Sequence, residues 1–328
     1  MAQPLAVDAL YEEHRRFLWG LCYRMTGSAA DAEDVVQDTF VRALEHPPRR
    51  VDEPLRPWLV KVALNLARDL LRRRRRREYV GPWLPSPIET DLSRQSAGGA
   101  TADVETAASE PPSHEPATLE GRYDLLESVS FAFLIALEAL APKARAVLLL
   151  RDVFDYSIKE TATALDLSES NVKTTHHRAR RTMAGYDAVR DLPSPARQAS
   201  AQTALMQFLR ALQQHDVGAI ETLLAEDVRT TTDGGGQFRS GLRPIVGREK
   251  VIRFYLAVAV YAADAAVRLA ALNGAPSVVV DIPSPPPGIA PRFTLTVELN
   301  REGAIAHIYV VSATAKLTAI DSGRPMVR

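Results

Sequence analysis

PWLVKVALNLARDLLRRRRRR, residues 57–77, joins an apolar helical face to six consecutive arginines. Leu59, Val62, Ala63, Leu66 and Leu70 recur at the spacing of one helix face. Pro57 suits the first helical position, where its missing N–H costs nothing. Lys61, Asn65, Arg68 and Arg72 form a second stripe. One side is therefore expected to pack on protein while the other presents cations around an amide. The run Arg72–Arg77 closes the helix. Like charges four residues apart oppose one another by roughly 0.2–0.5 kcal/mol per pair. A helix C-terminus favours cations, but six of them call for an anion outside the chain. Nucleic-acid phosphate is one such anion; a solvated basic helix end is the plainer alternative.

The charge of the rest of the chain is layered around this stretch. The 328 residues carry 40 Lys and Arg against 40 Asp and Glu, and the length allows two or three domains. Residues 1–77 hold 15 basic against 11 acidic side chains, 78–141 hold 2 against 11, 142–190 hold 9 against 6, and 191–328 hold 14 against 12. Two basic blocks flanking an acidic one suit a nucleic-acid binder with two separate contacts. A single cysteine, Cys22, excludes an intrachain disulfide and fits a reducing cytoplasm. The N-terminal stretch lacks a charged segment followed by an apolar core, so no signal peptide is expected. Phe131–Ala141 is too short to span a bilayer, so no membrane association is expected.

Upstream of residue 57, two amphipathic helices are expected at 8–26 and 29–45, separated by Gly27-Ser28, with Ser28 capping the second. The second buries Val35, Val36, Phe40 and Leu44 and lines another side with Asp31, Asp34 and Asp38. Downstream, YVGPWLPSP at 79–87 is punctuated by proline, and roughly 89–117 is nearly free of large apolar residues. Such a segment cannot offset its ordering entropy by burial and reads as a linker. Helices return at Tyr123–Leu140 and Pro142–Val153. Ser157-Ile158-Lys159-Glu160 reads as a capping box, Leu165-Asp166-Leu167-Ser168 as a tight turn, and Ser168 or Ser170 as the start of a basic helix. Two short helices around a tight turn, the second rich in Lys, Thr, His and Arg, have the pattern of a helix-turn-helix.

The last block differs in kind. A helix at 197–214, a short one at 220–224 and another near 247–260 precede β-rich runs at 266–272, 277–282, 292–299 and 304–315. Alternation in RFTLTVEL implies one buried face. Helices followed by an antiparallel sheet read as an α+β domain.

Taken together, DAEDVVQDTFVRAL at 31–44, RPWLVKVALNLARDLLRRR at 56–74 and the helix-turn-helix at 157–181 resemble a bacterial RNA polymerase sigma factor of the extracytoplasmic-function (ECF) type, over about residues 8–185. The resemblance implies core RNA polymerase and promoter DNA as partners and the cytoplasm as location. Asp31, Asp34, Gln37 and Asp38 would dock on the β′ coiled coil, and the β flap would supply a second contact. The helix at 57–74 would read the −10 element as melted single strand. Asn65 would line the pocket for a flipped base, and Lys61, Arg68 and Arg72 would hold phosphate; an amide and surrounding cations suit an unstacked base. Lys173, Thr174, His177, Arg178 and Arg181 would read the −35 element as duplex, where arginine can grip guanine bidentately. His176 falls where an aliphatic residue is expected: either a tolerated core histidine or a helix rotated slightly from this register.

Residues 197–320 look like the SnoaL-like (NTF2-like) domain fused to the SigJ-type group of these factors. YVGPWLPSP at 79–87, DLPS at 191–194 and DGGGQ at 233–237 carry that likeness. The group's usual loop reads Asn-Gly-Gly-Gly-Lys; Asp233 and Gln237 here remove a positive charge. The likeness implies regulation in cis through Trp83, Asp191, Leu192, Pro193, Asp233, Gly234, Gly235 and Gly236. The expected fold is multidomain: a sigma region 2 domain at 1–78, a Pro-rich acidic linker at 79–118, a helix-turn-helix region 4 domain at 119–190, a short linker at 191–196 and a cone-shaped α+β domain at 197–328. Both sigma domains are all-α. No cofactor or metal is expected. DGGGQ lacks the Gly-Lys-Ser/Thr ending of a P-loop and reads as a hairpin turn with positive φ. Asp216, Asp227, Asp233, Asp264, Glu298 and His307 form no recognisable constellation, so an enzyme is not expected. A small ligand in the cone and self-association stay open. Two rivals remain: a stand-alone helix-turn-helix regulator, which has no use for the acidic helix at 31–44, and an enzyme with a DNA-binding attachment.

Overall fold

The computed structural model describes residues 7–46, 55–74, 79–90, 123–190 and 194–320. Arg75–Arg77, most of the loop before residue 55, the linker beyond residue 90, and Asp191, Leu192 and Pro193 lie outside the described residues. The chain divides into two compact units: Met1–Arg77 with Gly98–Leu192, and Glu78–Ala97 with Pro193–Arg328.

The first unit is all helix. α1 (Val7–Thr26) and α2 (Ala29–Glu45) are separated by Gly27 at φ +65 and Ser28. The Ser28 hydroxyl accepts from the Asp31 N–H and satisfies one of the orphan donors of α2. α3 (Leu55–Arg74) begins two residues before Pro57, so the proline is third in the helix, still among the unpaired N–H positions. Its buried side chains are Leu59, Val60, Ala63, Leu64, Leu66, Ala67 and Leu71, whereas Val62 and Leu70 are half-buried. The buried arc is wider than expected and rotated, because α3 meets α1 and α2 on one side and later helices on another. Leu44, expected in the core, is 56% exposed.

The expected continuous helix from Tyr123 to Leu140 is broken. A 3-10 turn at Glu127–Val129 ends at Ser130, whose extended backbone and side chain restart the chain as α4 (Phe131–Leu137). α5 (Pro142–Asp152) starts with proline at its first position. α6 (Ile158–Leu165) opens on a complete Ser157–Glu160 capping box and closes on Asp166 at φ +52. α7 (Glu169–Val189) is capped by Ser168. α6, the turn and α7 form the helix-turn-helix.

The two halves of this unit join through guanidinium groups, those of Arg24 and Arg145 buried and that of Arg74 half-buried. Arg24, 1% exposed, donates to Ser128 Oγ at 2.7 Å, Gly20 O at 2.9 Å and Leu125 O at 2.9 Å. Burial lowers its pKa to about 10. Arg145 donates to Met25 O and to Glu138, and Arg74 to Thr26 O and the same Glu138. Phe17 packs edge-on against Phe154 at 5.3 Å between centroids.

The second unit places α8 (Pro195–Gln214), α9 (Val217–Leu223) and α10 (Arg248–Ala259) with a six-stranded sheet. The strands are β1 (Leu224–Asp233), β2 (Ile245–Val246), β3 (Ala266–Leu272), β4 (Ala275–Asp281), β5 (Arg292–Leu299) and β6 (Ile305–Val311), in the order β2-β1-β6-β5-β4-β3. β1 and β6 run parallel, so the sheet is mixed rather than antiparallel as expected. Leu205, Phe208, Ile220, Val251 and Tyr255 pack with Val228, Val278, Leu295, Val297 and Ile308 in one core.

The opposite face carries Asp233, Arg268, Ser277, Val279, Thr294, Thr296 and Val311, alternating away from that core. Residues 79–90 are anchored along it. Leu84 N–H donates to Asp233 Oδ2 at 2.8 Å, at the end of β1. Ile88 N–H donates to Asn273 Oδ1 at 3.0 Å, and Thr90 N–H to Ala271 O at 2.8 Å, at the end of β3. Leu84 through Ile88 are buried. The stretch expected to begin a linker is therefore a strap belonging to the second unit.

Candidate nucleic-acid interface

The arrangement of cations differs between the two basic blocks. On α7 the expected readers Lys173, Thr174, His177, Arg178 and Arg181 are all exposed on one broad side. Val172, Ala179 and Met183 are buried beneath them. His176 is half-buried on the flank, its Nε2 2.8 Å from Asp152 Oδ1. That pairing explains a polar residue at an otherwise apolar position.

On α3 the stripe is partly engaged. Lys61 donates to Asp166 Oδ1 at 2.6 Å, in the turn of the helix-turn-helix. Arg68 Nη1 donates to Asn65 Oδ1 at 3.3 Å. Arg68 Nε is buried with no hydrogen-bond partner among the described residues. Burial and then Arg72 lower the Arg68 pKa, while Asp69 and Asp166 oppose the shift. Arg72 pairs with Asp69 at 3.0 Å and is exposed. Asn65 is half-buried, and Trp58 likewise.

On α2, Asp34, Gln37 and Asp38 are exposed and Asp31 is half-buried at the capped end. Val41 and Leu44, 49% and 56% exposed, continue the same solvent side. Neither is expected there, although Val41 lies four residues after Gln37 and Leu44 three after Val41, the spacing of one helix face.

In the second unit, DGGGQ is the turn that leaves β1. Asp233 accepts from Tyr79 Oη at 2.6 Å, Leu84 N–H at 2.8 Å, Gly235 N–H at 3.0 Å and Lys316 Nζ at 2.6 Å. Its side chain is 0% exposed, so four donors satisfy a fully buried carboxylate. Lys316 Nζ lies over the rings of Tyr79 at 4.8 Å and Trp83 at 4.4 Å. Gln237 Oε1 accepts from Thr314 N–H at 2.9 Å. Gly235 has φ +58, and a Cβ there would sit 3.0 Å from Ala313 Cβ; Gly236 has φ +73, with Val80 Cβ 3.1 Å away. Both the turn and the approach of the strap require glycine. Gly234 lies at the start of the same turn, where a Cβ would meet Phe238 O at 2.9 Å.

Among the described residues, no group of three or more His, Cys, Asp or Glu side chains could hold a metal ion, and no helix is long and apolar enough to cross a membrane.

Comparison with known proteins gives concordant matches. The family model described as Sigma-70 region 2 matches residues 10–77, and that described as Sigma-70, region 4 matches 131–183. The chain is 30% identical over 249 residues to the ECF RNA polymerase sigma factor SigJ of Mycobacterium tuberculosis, covering 75% of this chain and 71% of that one. It is 34% identical over 228 residues to the ECF RNA polymerase sigma factor SigG of the same organism, covering 66% and 58%. The crystal structure of M. tuberculosis extracytoplasmic function sigma factor SigJ matches with a TM-score of 0.69 at 25% identity, over 95% of this chain and 98% of that one.

Proposed function

The chain belongs to the ECF family of RNA polymerase sigma factors, and from that premise we propose how its parts divide promoter recognition and transcription initiation. The observation that carries the division is the exposed side of α7. Lys173, Thr174, His177, Arg178 and Arg181 read the −35 element in the major groove, with arginine as the guanine reader and the other cation and hydroxyl on phosphate or base edge. α3 reads the −10 element as single strand: Asn65 meets a flipped base, and Lys61, Arg68 and Arg72 hold phosphates.

α2 docks on the β′ coiled coil of core polymerase. Asp31, Asp34, Gln37 and Asp38 supply the charge complement, and exposed Val41 and Leu44 supply the apolar contact that makes such a site more than steering. The helix-turn-helix half takes the β flap.

The Lys61–Asp166 contact makes this arrangement a closed one. The −10 and −35 elements are about 25 base pairs apart by name, on the order of 85 Å at ~3.4 Å per pair. Duplex DNA is too stiff to bring them together cheaply. Two readers joined by a 2.6 Å ion pair cannot span that distance, so the halves of the first unit part on the promoter.

The second unit regulates the factor in cis. Tyr79, Trp83, Asp233 and Lys316 lock the strap, which continues directly from the segment after α3. The glycines of DGGGQ give the strap room to approach. We assign the cone no catalysis. The test is co-elution of the full chain with core polymerase, repeated with Asp34→Arg. Loss of co-elution in the variant supports the docking assignment. No co-elution of either protein overturns it.

A further inference from the structure

α7 is a 21-residue helix with three buried residues, Val172, Ala179 and Met183. They lie along a single line, at i, i+7 and i+11, so apolar packing alone resists translation better than it resists rolling about that line. Rolling matters for a recognition helix. At a side-chain radius of about 5–6 Å, a roll of ~20° moves the tips by about 2 Å. That exceeds the width of the hydrogen-bond distance window.

Near its C-terminal end Tyr186 adds ring contacts with Tyr123 and Phe133, and toward the middle of the helix the roll is resisted by charge. Asp152, the last residue of α5, is 6% exposed and divides its carboxylate between two residues one turn apart on α7. Its Oδ1 lies 2.8 Å from His176 Nε2, and its Oδ2 accepts from Arg180 Nε at 3.0 Å. Both partners sit on one flank of α7, beside the line of buried residues. The Asp152 carbonyl is itself fixed, accepting from Tyr123 N–H at 2.9 Å. A second buried carboxylate, Glu127 at 2% exposure, holds the far end of the helix through Tyr186 Oη at 2.8 Å and Arg190 Nη1 at 3.1 Å.

We infer that Asp152 is a positioning residue for −35 recognition: by clamping His176 and Arg180 it sets the roll of α7 and so aims Thr174, His177, Arg178 and Arg181 at the base edges. Asp152 touches no base in this assignment. It rests on the sigma-factor reading of α7 above.

The experiment uses holoenzyme reconstituted from the full chain and core polymerase, with a promoter selected by the unaltered holoenzyme from a randomised library. Initiation is measured on that promoter and on the same promoter with its −35 element scrambled. Asp152→Asn, which keeps the shape and removes the charge, is expected to lower the intact-to-scrambled ratio by roughly tenfold, the discrimination that one good side-chain pairing with a base edge supplies. Initiation from the scrambled promoter stays within about twofold of the unaltered protein. Arg180→Gln, on a half-exposed side chain, is expected to lower the ratio in the same sense, and combining it with Asp152→Asn adds little, since both break one clamp. The inference is overturned if the ratio is unchanged, or if both promoters lose activity together. If Asp152→Asn does not fold, Arg180→Gln alone decides by the same two outcomes. A chain that fails to engage polymerase at all strikes the family-level assignment instead, and is scored separately by co-elution.

Discussion

Asp166 Oδ1 lies 2.6 Å from Lys61 Nζ, so the turn of the helix-turn-helix sits against α3, the helix proposed to read single-stranded DNA. The two side chains are 65% and 37% exposed, and such pairs are worth about 0–1 kcal/mol. The contact therefore biases the closed arrangement without holding it shut. Asp166→Lys replaces attraction by repulsion. Anisotropy of a labelled single-stranded −10 oligonucleotide should show the free chain binding up to about fivefold more tightly. Equal affinity would mean that Lys61 is not masked in solution.

Leu44→Ala tests the apolar extension of α2. The side chain is already 56% exposed, so the melting temperature should move little. Affinity for core polymerase should fall several-fold, on the order of 1 kcal/mol for an apolar anchor at an interface. Because no charge is changed, the salt dependence of binding should stay as it was, unlike that of Asp34→Arg. A Leu44→Ala protein that binds core polymerase as before excludes this residue from the interface.

Asp233→Asn tests the lock on the strap. It leaves Lys316 buried without its carboxylate, and breaking a buried pair on one side costs roughly 3–5 kcal/mol. The second unit should melt earlier, with a change in Trp83 fluorescence and new proteolysis within 79–90. Gly235→Ala should act in the same direction, since φ +58 and the 3.0 Å approach to Ala313 disfavour a side chain. An unchanged melting curve for both variants would remove the lock.

Cys22 is 0% exposed, and burial raises its thiol pKa well above the usual range. Thiolate is scarce and shielded until the helices part. A thiol reagent at pH 8 should label the native chain more slowly than the denatured chain by a factor on the order of 100 or more, and the rate then reports opening of the first unit. Labelling at the rate of an exposed cysteine would contradict the packing of α1.

Local signals are the ones legible in the residues. Ser28, Ser157 and Ser168 each cap the helix they precede, because capping is decided within four residues. Apolar runs or alternation foreshadow β3, β4, β5 and β6. Nothing of the kind marks β1, since LAEDVRTTTD buries Thr230 and Thr232, and Thr230 does so through a hydroxyl contact with Tyr255 and a β6 carbonyl rather than through an apolar side chain. Helical period puts Leu44 in the core, but period does not say which of two adjoining faces meets a partner. Ser130 breaks a helix that propensity alone would continue. Lys61 and Asp166 are 105 residues apart, and no local pattern links them. The burial of Leu84–Ile88 is hidden for the same reason. A proline-rich run has no period, and its cover is supplied by strands far along the chain.

That burial has a consequence for how the gene can be cut. Leu84 is held by a carboxylate 149 residues further on. The cone is thus encoded in two places, and one stop codon cannot remove it. A product ending at residue 195 would keep a severed piece of the missing domain, its Leu84 and Ile88 stripped of their cover, so its behaviour would describe a wounded protein rather than a simpler ancestor.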